Sequence, residues 1–178
     1  GDICGMVYEG AYLPFVWTKE TGRTLLQWPL NSGASGLTSR NSGLLTVVGT
    51  ADTAAFRNQV QIVQPDPEYT LIDNGPENLT SLYSGPMPLE ALDVNRSGQI
   101  VGVATNGSHD RAFRIDATGI KNLGTLPPVV RKNNATGSGA NGVNNLGRVV
   151  GWSKEYANAF QPSIPAQPFL YIDGQGML

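Results

Sequence analysis

The 178-residue chain holds a single cysteine, Cys4, and a single histidine, His109. One cysteine excludes an internal disulfide framework, and one His with one Cys cannot build a zinc site of the three- or four-ligand His/Cys type within the chain. Charged residues make up only 15% of the sequence, well below the ~25% usual in soluble domains, so long helices with charged faces are not expected. A formal net charge of -2 leaves no large basic footprint for nucleic acid. No apolar run approaches the ~20 residues of a membrane-spanning helix.

What the chain does have is glycine (22) and proline (12), spread along its length beside 40% hydrophobic residues. That composition suits many short strands joined by turns. The string Gly-x-Ile/Val-x-Gly, or a close variant, recurs. It can be followed through its second glycine at Gly5, Gly49, Gly102 and Gly151. After each mark comes an apolar segment with Phe: "PFVW" at 14–17, "AAFRN" at 54–58, "RAFRI" at 111–115 and "PFLYI" at 168–172. Before three of the marks stands Ala-x-x-apolar: "ASGL" at 34–37, "ALDV" at 91–94 and "ANGV" at 140–143. A closing apolar segment follows at "RTLLQW" (23–28), "YTLI" (69–72) and "IKNLGTL" (120–126). These segments are short, rich in β-branched and aromatic residues, and bounded by Gly, Asn or Asp, so they read as strands. Four strands in a repeat of about 40–50 residues is the signature of a β-propeller blade. The predicted fold class is all-β, a propeller-like array of about four four-stranded repeats at residues 1–30, 34–73, 90–126 and 140–178.

The recurring string is read as a hairpin. In "VNRSGQ", Asn95 suits the first position of a type I turn, because its side chain can bond the backbone two residues on. Gly98 then takes the left-handed position that matches the twist of the hairpin. Asn144 and Gly147 in "NNLGR" fit the same turn. The second glycine, Gly102 or Gly151, sits mid-strand and is expected to mark the close approach of a neighbouring blade or chain.

The stretch "ALDVNRSGQIVGVA…RAFRID…GIKNLGTL" resembles the HAF-type extracellular repeat: Ala-x-x-Ile/Val-Asn-x-x-Gly-x-Val-Val-Gly, an Ala-Phe segment, then Asn/Asp-Leu-Gly-Thr-Leu. The resemblance is close over 90–126, good over 140–153 and 168–178, partial at 1–30, where the first strand is missing, and weak at 34–73. It implies a bacterial protein that is extracellular, periplasmic or on the cell surface, with a propeller-like repeat domain. The family is named for its pattern rather than an activity, so the resemblance carries no catalytic residues.

Phe15, Phe56, Phe113 and Phe169 recur at one place in the unit and are expected in the core between blades. Ala34, Ala91 and Ala140 open the innermost strand, where crowding favours small side chains. Cys4 occupies the slot of Val101 and Val150 and reads as a small buried hydrophobe. The chain starts at a second strand and ends, at "GQGML", where a fourth should begin. It is therefore read as a segment of a larger propeller, with a compact four-bladed ring and an open or intermolecular arrangement as alternatives.

Few residues offer chemistry. Asp93, Asn95 and Ser97 mimic the start of a calcium loop, but the ninth and twelfth positions are Val101 and Ala104, where such loops supply further oxygen ligands; a structural turn is favoured. The glycines lack the Gly-Lys-Ser/Thr ending of a phosphate loop, and His109 lacks a nucleophile-elbow partner. No catalytic residue and no cofactor are expected. Binding residues are sought in the longer connections, 74–89, 127–139 and 154–167, since loops on a rigid scaffold carry function. Tyr156, Phe160, Tyr83 and Met87 are the candidate anchors, with Arg131 and Lys132 beside them. The expected function is a non-enzymatic binding or assembly scaffold, secreted or at the cell surface. Its partner would be a protein, a surface glycan or further blades of the same protein. The alternatives are a structural subunit of a larger envelope or secretion assembly, or a glycan-active enzyme whose site lies mostly elsewhere.

Overall fold

The computed structural model describes residues 1–38, 43–51, 54–63, 70–79, 89–105, 109–128, 136–156 and 165–178. They form fifteen strands. The first sheet holds three, β1 (Ile3–Tyr8), β2 (Tyr12–Thr18) and β3 (Gly22–Leu25). The second holds β4 (Ser32–Leu37), β5 (Leu44–Ala51), β6 (Ala54–Val63) and β7 (Thr70–Asn78). The third holds β8 (Leu89–Val94), β9 (Ile100–Thr105), β10 (Asp110–Asp116) and β11 (Gly119–Gly124). The fourth holds β12 (Thr136–Val143), β13 (Val149–Glu155), β14 (Gln167–Ile172) and β15 (Gly176–Met177). All pairings are antiparallel between strands adjacent in sequence, so each sheet is a meander. Beyond β15, Leu178 still exchanges two backbone hydrogen bonds with Leu170, at 2.8 and 3.0 Å.

The hairpins that open the third and fourth sheets share one geometry. Gly98 N–H donates to Asn95 O at 3.0 Å, and Gly147 N–H donates to Asn144 O at 2.9 Å. Both glycines have positive φ, 75° and 74°, a region that costs an L-residue energy through its Cβ. Asn95 Oδ1 accepts the N–H groups of Ser97 and Gln99, each at 3.0 Å. Asn144 Oδ1 accepts those of Leu146 and Arg148, at 2.9 and 3.0 Å.

The four sheets stack in chain order, and each joint has its own apolar cluster. Val16, Leu26 and Trp28 of the first sheet segment meet Leu45, Val47, Phe56 and Val60 of the second. Val48, Ala55 and Leu79 meet Leu89, Ile100, Phe113 and Ile115. Val101, Ala112 and Leu123 meet Ala140, Val149, Phe169 and Tyr171. Period-two alternation produces this: successive residues of a strand point to opposite faces, so Val101 serves one joint and Ile100 the other. The first strands β4, β8 and β12 touch one another in turn, with Ala34, Ala91 and Ala140 all buried.

The mid-strand glycine has a cause inside its own sheet. In the second, third and fourth sheets the first strand carries a β-bulge at Ala-x-x, between Ala34 and Gly36, Ala91 and Asp93, and Ala140 and Gly142. An extra residue in one strand re-aims the adjacent backbone. Here the carbonyl oxygens of Gly33, Glu90 and Gly139 lie where a Cβ on Gly49, Gly102 or Gly151 would have to go. The Phe of the third strand lies over the same glycine: Gly102 pairs with Phe113 and Gly151 with Phe169. A Cβ on Gly102 would also stand 3.0 Å from the Phe113 ring. The close approach expected from a neighbouring blade thus comes from the sheet's own bulged strand and its own Phe.

Phe56, Phe113 and Phe169 face the preceding sheet and are buried. Phe15 pairs with Gly5 in the same way, but it is half-buried. Val16, fully buried, faces the second sheet, so Phe15 points to the opposite, outer face. Cys4 pairs with Val16 and is half-buried beside the first cluster.

Candidate functional site

Polar side chains on the third and fourth sheets join neighbouring elements. Asp93 Oδ2 accepts Val143 N–H at 2.8 Å. Asn95 Nδ2 donates to Gln99 Oε1 at 2.7 Å and to Asn144 O at 2.9 Å, and Arg96 N–H donates to Asn145 Oδ1 at 3.0 Å. Two of the oxygens considered for calcium therefore bind backbone N–H groups, and Asn95 ties one turn to the next. Ser138 Oγ accepts Ala112 N–H at 2.9 Å and donates to Gly124 O. Ser153 Oγ does the same between Leu126 N–H, at 3.0 Å, and Gly137 O, at 3.2 Å.

The buried guanidinium of Arg114 reaches from β10 to Asp173 in the turn after β14, at 2.8 and 3.2 Å, with Asp116 3.3 Å away. Lys121 adds a contact of 3.2 Å to Asp173. These hydrogen bonds hold the Asp173 carboxyl down to about 2, against an ordinary 3.8. Asp116 is also lowered, chiefly by hydrogen bonds from Thr118. Burial pushes the Cys4 thiol up to about 11, which leaves it protonated and a poor nucleophile at neutral pH.

The strand ends bring the candidate binding segments to one end of the sheets. Registers place Ala51 opposite Ala54, Leu89 opposite Ala104, Asp110 opposite Thr105 and Thr136 opposite Glu155. The connections that leave after Ala51, Leu79, Thr105, Pro128 and Tyr156 therefore start at the same end. The first sheet turns there too, between Tyr8 and Tyr12, both exposed and in edge contact at 5.2 Å. Tyr83, Met87, Arg131, Lys132 and Phe160 belong to these connections and lie outside the described residues.

Tyr156 is half-buried and locks two sheets together. Its hydroxyl donates to Asp110 Oδ2 at 3.0 Å and accepts Asp110 N–H at 3.1 Å. Burial raises its phenol, opposed by the Asp110 N–H and reinforced by the Asp110 carboxylate. Its ring covers Gly137, where a Cβ would collide with it. Lys154 Nζ lies 4.8 Å from the ring centroids of both Trp152 and Tyr156 and 3.8 Å from Asp110. Edge-on, His109 meets Tyr156 at 5.2 Å, and Arg111 donates to Thr136 O at 2.6 Å. A small depression beside Lys154 is lined by Leu126, Thr136, Ser153 and Gln167.

Sequence reasoning selected Tyr156 but missed Trp152, Lys154 and Asp110. Trp152 stands where the preceding unit has Val103, a departure readable in the repeat. The Tyr156–Asp110 pairing, across 46 residues, depends on how the third and fourth sheets stack. Among the described residues, no three of His, Cys, Asp and Glu gather where they could hold a metal ion, and no helix is long and apolar enough to cross a membrane. No family model matches the chain, and no curated protein sequence matches it.

Proposed function

We propose that the four sheets are consecutive blades of a β-propeller-type array that acts as a non-enzymatic scaffold, secreted or at the cell surface, and binds a partner protein through its loop-bearing end. The carrying observation is the convergence of strand ends: the connections with Tyr83, Met87, Arg131, Lys132 and Phe160 all leave from the end that presents Trp152, Lys154, Tyr8 and Tyr12. Aromatic, Met and Arg residues are the types enriched where proteins meet. The blade reading is supported by the meander order, by the touching first strands β4, β8 and β12, and by the recurring Phe-over-Gly register. The extracellular setting is proposed on the resemblance of residues 90–126 to HAF-type repeats. On this reading Asp93, Asp110, Arg114 and Asp173 hold sheets together and do not turn over a substrate.

The test replaces residues 80–88, 129–135 and 157–164, one segment at a time, with short Gly/Ser linkers. Retention of proteins from the surface fraction of the source is then compared with that of the wild-type chain. Loss of a retained protein with an unchanged melting curve is expected for at least one replacement. Unchanged retention by all three would contradict the loop-bearing end as the binding face. Release of new reducing ends from envelope glycan by the wild-type chain would contradict the non-enzymatic reading.

A further inference from the structure

At the loop-bearing end of the third and fourth sheets, the strand ends are hydrogen-bonded to one another. Asp110 is the hub. Its Oδ1 accepts the Thr105 hydroxyl at 2.9 Å. Its Oδ2 accepts the Tyr156 hydroxyl at 3.0 Å, and its N–H donates back to that oxygen at 3.1 Å. Arg111 Nη1 donates to Asp110 O at 2.8 Å and to Thr136 O at 2.6 Å. Thr136 and Thr125 share a hydroxyl–hydroxyl bond of 3.0 Å, and Leu126 N–H donates to Ser153 Oγ at 3.0 Å. Each of these bonds sits at the root of a connection. Thr105 and Asp110 flank residues 106–108, Leu126 and Thr136 flank 129–135, and Tyr156 stands immediately before 157–164.

A lock that only holds two sheets together is provided at the far end of the same joint, where Arg114 bonds Asp173. The Asp110 clasp differs because its members join roots of separate connections. Resting on the scaffold reading above, we propose that Tyr156 and Asp110 are positioning residues of the binding end: they hold the roots of 106–108, 129–135 and 157–164 in one arrangement, so that the three connections act as one unit toward the partner protein. The geometry suits that role. Both carboxylate oxygens of Asp110 and its own N–H are engaged, which fixes the plane of the group, and linked hydrogen bonds reinforce one another. The Tyr156 ring is seated over Gly137, next to the Thr136 root, where a Cβ would collide with it. Disturbing the Tyr156 hydroxyl therefore reaches a connection that begins and ends on other strands.

The test compares two variants of the same joint. Tyr156→Phe keeps the ring over Gly137 and removes both hydrogen bonds to Asp110. Asp173→Asn weakens the lock at the far end and is the control for lost stability alone. Both should melt within a few degrees of wild type. Chymotrypsin cleavage after Phe160 and trypsin cleavage after Lys132, followed by mass on the folded chain, read two connections without any partner. Tyr156→Phe should raise both rates roughly fivefold, the change in open population expected from one lost hydrogen bond. Asp173→Asn should leave both rates near wild type. Retention of the surface protein should fall with Tyr156→Phe and hold with Asp173→Asn. A rise after Phe160 alone would show that the connections are independent and overturns the proposal, as does no rise with Tyr156→Phe or an equal rise in both variants. Raised cleavage at both sites with unchanged retention also overturns it and leaves the scaffold reading intact. If the wild-type chain retains no protein, the scaffold reading fails on its own, and the positioning role falls with it whatever the cleavage rates.

Discussion

Val101 and Val150 are the same residue at the same register, one before the mid-strand glycine, in adjacent sheets. Val101 is 0% exposed and Val150 52%. The sequences around them are alike, the turns before them are alike, and the strands that hold them pair alike. Only the neighbour differs: the fourth sheet lies on Val101, and Val150 faces outward. The same contrast separates Phe113, 2% exposed, from the half-buried Phe15. The repeat pattern thus determines where a side chain points, and stacking determines what covers it.

The comparison is broken most forcefully at the glycines. Gly102→Ala drives a methyl into the carbonyl oxygen of Glu90 and the Phe113 ring, so the bulged strand must move. A loss of about 3 kcal/mol or more is expected in chemical denaturation, at the upper end of overpacking costs. At Gly5, a methyl meets only the Phe15 ring, at 3.1 Å, and Phe15 has space to give, so Gly5→Ala should cost about 1 kcal/mol or less. Equal losses would mean that the bulge is not what excludes the side chain.

Truncating the aromatic rings sharpens the same contrast. Phe113→Ala removes a fully packed ring from the second joint and should cost about 3–5 kcal/mol. Phe15→Ala, in the monomer, should cost less than half of that, because part of its ring surface is already in water. Denaturation midpoints of the two variants, taken at a concentration where the chain is monomeric, check the difference.

The smallest expected effect is electrostatic and confined to the joint of the third and fourth sheets. Asp173 is held near 2 in the folded chain, against an ordinary 3.8. A carboxyl with a depressed folded-state pKa stabilises fully above its unfolded value, and that contribution is lost as pH falls through the folded value. Wild-type stability should therefore decline between about pH 4 and pH 2. Asp173→Asn should be less stable at neutral pH and decline less over that window, while Asp116 keeps part of the slope. The carboxylate is half-exposed, so solvent screening keeps the effect small. Melting temperatures across the pH range measure it.

Much of this architecture is legible in the sequence, because turns and alternation are local. Asn95 and Gly98 announce a hairpin through the chemistry of four residues, and the recurring Phe marks a strand by its spacing from the glycine. The bulge at Ala91–Asp93 was not legible. It changes which carbonyl meets Gly102, and nothing in "ALDV" says that Leu92 will be the unpaired residue. The cross-sheet locks were hidden for a related reason: Arg114 finds Asp173 59 residues away, through a stacking register that no single unit encodes. At the candidate binding end, the sequence marked Tyr156 for its aromatic ring on an insertion. Its partner Asp110 belongs to the neighbouring unit, so its role in joining sheets emerges only once the sheets are stacked.

The most direct test of the account is the matched pair Val101→Ala and Val150→Ala, unfolded by denaturant under monomeric conditions. The account predicts a loss of about 2 kcal/mol for Val101→Ala, from two buried methyl groups, and almost none for Val150→Ala. Equal losses at the two positions would contradict it, since Val150 would then be covered as Val101 is.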